Sequence, residues 1–176
     1  RKAGLPSGRD EAVWRETRAG TIVKKGGVPA LNALADRLKR APHDRIERDV
    51  VEAMTTNESF FFRDEKPFQH FRAHALPRLL AARPANATLR IWSAASSSGQ
   101  EAYSLAMILA ECKAQLGGRM VEIVGTDIAR DQLARAQQGL YTQFEVQRGL
   151  PVQMLMRYFK KEDTNWRISE VIRSMV

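Results

Sequence analysis

Residues 88–139 narrow the choice of folds furthest. Thr88 to Ala95, TLRIWSAA, is a short apolar run suited to a strand and ending in small residues. It passes through SSSGQE into AYSLAMILAECKAQLGG, a strongly apolar stretch of helical character closed by two glycines. Met120 to Thr126, MVEIVGT, reads as a second strand, and Asp127 then leads into ARDQLARAQQ, a helix closed by Gly139. Strand, small-residue turn, helix, strand, acidic residue, helix is the opening of a doubly wound parallel sheet, so an α/β fold is expected.

Sheets of this kind bind ligands beyond the carboxyl ends of their strands, which directs attention to the two turns. The tiny side chains from Ala94 to Gly99 would let a ligand approach the backbone beside a helix N-terminus. The turn holds one glycine and no Gly-Lys-Ser/Thr, so it matches neither the glycine-rich dinucleotide fingerprint nor a phosphate loop. Two acids stand near it. Ser98 to Glu101 spells a capping box, in which Glu101 would satisfy a backbone N–H; the same carboxylate could instead receive an ammonium group. Asp127 could cap the helix after the second strand, or hold a ribose diol from the place where dinucleotide folds keep an acid.

Upstream, TTNESFFFRD at residues 55–64 sets three adjacent phenylalanines between a polar run and an Arg-Asp pair. Three neighbours cannot share one face of a helix or strand, so at least one of Phe60, Phe61 and Phe62 points away from the core. Lys66 to Arg83 follows as a helix opened by Pro67, with Pro77 expected to kink or break it. Its stripe of Phe68, Phe71, Ala75, Leu79 and Leu80 reads as core. From Val28 to Met54, apolar residues at intervals of three and four predict two short amphipathic helices broken at Pro42.

Composition removes several function classes. The lone cysteine, Cys112, excludes an intrachain disulfide framework and a thiolate metal cluster, and its apolar neighbours mark it as a buried, inert thiol. His70 and His74 stand one helical turn apart without a third ligand, so they read as a solvated helix face and no metal is expected. No run of about 18 apolar residues exists and no signal-peptide pattern opens the chain, so membrane insertion is not expected and the cytoplasm is the default compartment. The net charge of +8 is concentrated early: residues 1–50 hold 12 Lys+Arg against 7 Asp+Glu. Such a balance can attract nucleic acid, an acidic membrane leaflet or an acidic protein surface, and charge alone does not choose among them; no zinc-finger, RNP or basic-zipper pattern supports the first.

TTNESFFFRD, PFQHF, RIWSAASSSGQEAYSLAMIL, VGTDIARDQLARAQQGLY and MLMRYF together resemble the CheR-type chemoreceptor glutamate methyltransferases, in that family's order and spacing. The resemblance covers residues 45–176; residues 1–44 match loosely, as a short version of the family's helical N-terminal domain. It implies S-adenosylmethionine as cofactor, with S-adenosylhomocysteine as product, and methyl esterification of glutamates on the cytoplasmic helices of chemoreceptors. Carried over, it implies that Asn57, Ser59 and Arg63 line the cofactor pocket near its reactive end, with Arg63 also catalytic. Ser59 stands where the family usually has Thr and keeps the hydroxyl. Glu101 would take the cofactor's ammonium and Asp127 its ribose hydroxyls.

The expected organisation is a basic helical domain at residues 1–54, a linker and helix contributing to the pocket at 55–88, and a partial S-adenosylmethionine-binding Rossmann-like domain at 89–176. In the family further strands and a small β-subdomain for receptor docking follow. EVIRSMV therefore reads as entry into a third strand, with about half the sheet present. Because the chain opens on Arg1 and stops there, it reads as a fragment. A two-stranded parallel remnant would expose an apolar edge, so such a piece is expected to be unstable, or to pair with a second chain that completes the sheet. Two other readings stay open: a catalytically silent relative that binds S-adenosylmethionine or a receptor, and a basic nucleic-acid-binding protein.

Overall fold

The computed structural model describes residues 20, 22–23, 29, 31–40 and 45–176. The chain divides into two compact units, Arg1–Thr56 and Asn57–Val176.

The first unit contains helices α1 (Leu31–Arg40) and α2 (Arg45–Met54). Ile22, Leu34 and Ile46 form its small core, with Leu38 and Val50 packed against them. Arg37, Lys39 and Arg40 lie in the last turn of α1, where positive charge complements the helix dipole. The break expected at Pro42 lies outside the described residues.

The second unit opens with one long helical rod in three parts: α3 (Lys66–His70), a π-helical turn (Phe71–Ala75) and α4 (Leu76–Ala81). Pro77 cannot donate to the carbonyl four residues back, and its ring crowds that carbonyl. The helix absorbs the defect by widening, with the Leu76 N–H reaching Phe71 O, rather than by ending.

Strand β1 (Leu89–Ala94) pairs in parallel with β2 (Val121–Thr126), in register from Leu89↔Val121 to Ala94↔Thr126. Period-two alternation sends Leu89, Ser93 and Ile123 inward, leaving Arg90, Trp92, Glu122 and Val124 on the exposed face. There Arg90 pairs with Glu122 at 2.7 Å, and Trp92 Nε1 donates to Thr126 Oγ1 at 2.9 Å. Between the strands runs α5 (Gln100–Glu111), which buries Ala102, Tyr103, Ala106, Met107, Ile108 and Leu109. The helix read as continuing from it breaks at the buried Cys112 and resumes as α6 (Lys113–Leu116), closed by Gly117 in the left-handed region. After β2 comes α7 (Arg130–Gln138), closed by Gly139 at φ 61°.

The remainder departs from expectation. β3 (Leu140–Thr142) is followed by α8 (Gln143–Gln147), α9 (Val152–Tyr158), β4 (Phe159–Glu162) and β5 (Asn165–Ile168). These strands form an antiparallel sheet in the order β3-β5-β4. A small β-sheet therefore lies within residues 140–168, where the sequence reading had placed the β-subdomain past Val176. EVIRSMV is not strand: α10 (Glu170–Arg173) forms there, and the chain reaches the parallel sheet at Met175, whose carbonyl accepts the Ile123 N–H at 2.7 Å. Ser169 is extended before Glu170 and its hydroxyl caps nothing, so the turn rests on backbone bonds, and the short Val171-Ile172 pair does not decide between strand and helix.

One core joins the layers of the second unit. Phe61 is fully buried, edge-on to Tyr141 at 5.0 Å and to Phe159 at 5.6 Å. All three tyrosines of the chain donate their hydroxyls: Tyr103 to Ala136 O, Tyr141 to Ser98 O and Tyr158 to Glu111 Oε1. Burial pushes Tyr103 up to about 12 and Tyr141 well above the ordinary phenol value. Burial, and then the Glu111 carboxylate, raise Tyr158 as well. A folded pKa above the unfolded value gives stability that is complete below about pH 10 and is lost as pH rises through the folded values. An alkaline titration followed by phenolate absorbance, run on Tyr158→Phe, should show no tyrosine step near pH 10 while the protein is folded, the signal of Tyr103 and Tyr141 arriving with unfolding. A step near pH 10 in that folded variant would contradict the assignments of Tyr103 and Tyr141.

Candidate cofactor site at the carboxyl ends of β1 and β2

Beyond Ala94 the backbone enters the left-handed region at Ala95 (φ 56°), Ser97 (φ 49°) and Gly99 (φ 90°). For the two residues with side chains this costs about 1–2 kcal/mol each, so the turn persists because its surroundings hold it. Ser96 N–H donates to Thr126 O at 2.9 Å, and Gly99 N–H to Ser96 O at 2.9 Å. Ser97 N–H donates to Asp127 Oδ2 at 2.8 Å. Gly99 has no room for a side chain, since a Cβ there would lie 2.9 Å from that of Ala136 and 3.0 Å from the Tyr103 ring. Behind the turn, the buried Ser96 hydroxyl has no hydrogen-bond partner and faces a cavity of about 180 Å³ beside Gly125 and Leu133.

Asp127 straddles both turns. Its Oδ2 accepts from Ser97 and its Oδ1 from the Ala129 N–H at 2.8 Å. Ala129, not Asp127, occupies the cap position of α7, so the capping alternative for this acid is overturned. A carboxylate offers about four acceptor sites, and two N–H groups leave capacity for a diol.

Glu101 is not a capping-box residue either. Gly99 is the cap of α5, which puts Glu101 one position too early in the helix to reach back to the cap N–H. Its exposed carboxylate instead accepts the Ser93 hydroxyl at 2.7 Å, so the buried end of β1 orients it. The second carboxylate oxygen remains for a cationic group.

Asn57 joins this site through its carbonyl, which accepts the Ser97 hydroxyl at 3.3 Å. Asn57, Ser97 and Asp127 are therefore one connected set. Ser59 is half-buried in the same segment. Arg63 is exposed and tied to its own segment: Nη1 donates to Glu58 O at 3.1 Å, and the guanidinium lies 5.6 Å from the Phe60 ring. It makes no hydrogen bond to Glu101 or Asp127. The three phenylalanines divide as the pattern required, with Phe61 in the core, Phe62 against Phe68 at 5.3 Å, and Phe60 facing guanidinium groups.

Sequence reasoning missed Ser93 and Ser97, which aim the two acids. Ser93 was findable, because alternation from Leu89 turns it inward. Ser97 carried no signal beyond the run of serines.

These groups fit an S-adenosyl group: one carboxylate to accept from an ammonium, one to accept from a diol, and a turn of small residues allowing close backbone approach. The family model described as CheR methyltransferase, SAM binding domain, matches residues 57–176. The chain belongs to this family.

Curated relatives agree with the CheR assignment. The chemotaxis protein methyltransferase 1 of Pseudomonas aeruginosa is 36% identical over 98% of this chain, and chemotaxis protein methyltransferase Cher2 of Pseudomonas putida is 33% identical over 98%. A probable chemotaxis protein methyltransferase of Rhizobium etli is 35% identical over 94%. The chain spans 64% of the length of each Pseudomonas relative and 61% of the Rhizobium protein. The partial Rossmann-like fold, with its parallel β1–β2 pair, accords with a CheR S-adenosylmethionine-binding domain. Among the described residues no helix is long and apolar enough to cross a membrane.

Proposed function

We propose that this protein methylates glutamate side chains on the cytoplasmic helices of chemoreceptors, with S-adenosylmethionine as methyl donor, and that it does so in the cytoplasm. The observation that carries the reading is the pair of acids at the carboxyl ends of adjacent parallel strands, Glu101 aimed by Ser93 and Asp127 held between Ser97 and Ala129. When bound, S-adenosylmethionine supplies a methyl group on a positively charged sulfur, open to in-line displacement by a carboxylate oxygen.

The chain's own part is alignment. Glu101 holds the ammonium, Asp127 the ribose hydroxyls, and Asn57 and Ser59 border the reactive end. A glutamate with an ordinary pKa near 4.3 is already ionised at neutral pH, so no side chain has to remove a proton. Arg63 presents a planar fork to a carboxylate, that of the cofactor or of the receptor glutamate, and so orients the reacting groups. Orientation of this kind supplies several kcal/mol, up to about 7–11 kcal/mol in the best intramolecular cases.

The test is transfer of radiolabelled methyl groups from S-adenosylmethionine to receptor cytoplasmic segments by the full-length protein. Base-labile label released as methanol is expected; binding of S-adenosylhomocysteine without ester formation would favour a silent regulatory relative instead.

The basic end of α1 is proposed to steer the enzyme onto acidic receptor helices. Reversing Arg37, Lys39 and Arg40 to Glu should slow receptor methylation roughly tenfold at low salt, and less at high salt, with unchanged S-adenosylhomocysteine affinity. Loss of methylation and cofactor affinity together would contradict that role.

A further inference from the structure

Outside the acid pair, one cluster gathers more charge than packing needs. Arg148, in the loop after α8, reaches back 90 residues to place Nη2 2.5 Å from Glu58 Oε1. Its guanidinium also stacks 4.4 Å from the centre of the Phe60 ring. Arg63 approaches the same ring at 5.6 Å and bonds the backbone carbonyl of the same Glu58. Two guanidinium groups thus share one aromatic ring and one acidic residue, Arg148 on its carboxylate and Arg63 on its backbone carbonyl. The Glu58 carboxyl is kept below its usual range first by the hydrogen bond and charge of Arg148, and to a smaller degree by the charge of Arg63. The Arg148 and Glu58 side chains are both substantially exposed, so the pair itself adds little to stability.

Without Arg148, the nearest cation for the Glu58 carboxylate is Arg63. A guanidinium engaged by a neighbouring acid in its own segment cannot give its fork to an incoming carboxylate. We propose that Arg148 is a positioning residue that sequesters the Glu58 carboxylate, so that Arg63, held by a single N–H to Glu58 O, keeps its remaining N–H groups for the carboxylate of the cofactor or of the receptor glutamate. This rests on the reading of Arg63 given under the proposed function. Both guanidinium groups lie over the Phe60 ring, at 4.4 and 5.6 Å.

The arrangement has a signature that a merely structural residue would not give. Arg148→Ala should lower kcat/KM for receptor methylation by the full-length protein roughly tenfold, because the fork of Arg63 is lost to Glu58. Glu58→Gln alone should stay within about threefold of wild type, and Glu58→Gln added to Arg148→Ala should restore most of the lost rate, since the competing charge is gone. Loss of the Arg148 stack on Phe60 is common to the single and double variants, so it cannot produce the rescue. A double variant as slow as Arg148→Ala would overturn the proposal. Arg63→Ala is the companion control: a wild-type rate there would overturn the reading of Arg63, and this proposal with it. A slow Arg63→Ala beside an unrescued double variant would refute the sequestering role alone.

Discussion

Asp127→Ala is expected to weaken S-adenosylhomocysteine binding about 100-fold, corresponding to roughly 3 kcal/mol. Two losses combine. A carboxylate that accepts from a diol makes charge-assisted bonds, each worth about 1.5–3 kcal/mol when the partner is left unsatisfied. The same substitution frees the Ser97 and Ala129 N–H groups that Asp127 holds at 2.8 Å, so the left-handed turn at Ala95 and Ser97 loses one of its anchors. Calorimetric titration, with thermal melting alongside, separates the effects. Equal heats from wild type and variant would refute the assignment of Asp127 to the ribose. Asp127→Asn should recover little, because its amide can present one acceptor to two N–H donors and turns an N–H₂ toward the other.

The second large effect falls on stability, at Gly149. Its φ of 84° belongs to the left-handed side, and a Cβ there would lie 2.0 Å from the backbone carbonyl oxygen of Phe61. That oxygen is backbone, not the end of a flexible side chain that could move aside. Phe61 is fully buried among Tyr141 and Phe159, and Leu150, next to Gly149, is in the same core. Gly149→Ala should therefore cost about 3 kcal/mol or more and lower the melting temperature by at least roughly 6–12 °C. Gly118 provides the control: its φ is 82°, but nothing lies within 4 Å of its would-be Cβ. Alanine there should cost only the backbone strain, about 1–2 kcal/mol. Similar melting temperatures for the two variants would show that the approach of residue 149 to Phe61 is not a close one.

The expected β1–α5–β2–α7 order was legible because each element is long enough for its period to show: six residues in each strand, twelve in α5, nine in α7. The antiparallel sheet was not. Leu140–Thr142, Phe159–Glu162 and Asn165–Ile168 are three or four residues long, too short for alternation to rise above chance, and their pairing is set by the core contacts of Tyr141, Phe159 and Ile168. In EVIRSMV only Val171 and Ile172 are adjacent β-branched residues, too few to choose between strand and helical turn, and a turn forms there before the chain meets β2 at Met175. At the site, the resemblance named the five residues, and the chain's own pattern could not choose between cap and ligand for Glu101 and Asp127. The structure removes both cap readings. What the sequence could not display were long-range pairs such as Ser93 with Glu101, Ser97 with Asp127 and Arg148 with Glu58, because a hydroxyl or a guanidinium leaves no periodic trace of its partner.

Determination of the structure of the full-length protein with S-adenosylhomocysteine bound tests the central claim most directly. The ribose hydroxyls should lie within hydrogen-bond distance of the Asp127 carboxylate, and the amino group against Glu101, with the adenosyl portion across the carboxyl ends of β1 and β2. Occupancy elsewhere, such as the groove of about 580 Å³ lined by Phe62, Phe68, Leu150 and Met154, with Glu101 and Asp127 untouched, would contradict it.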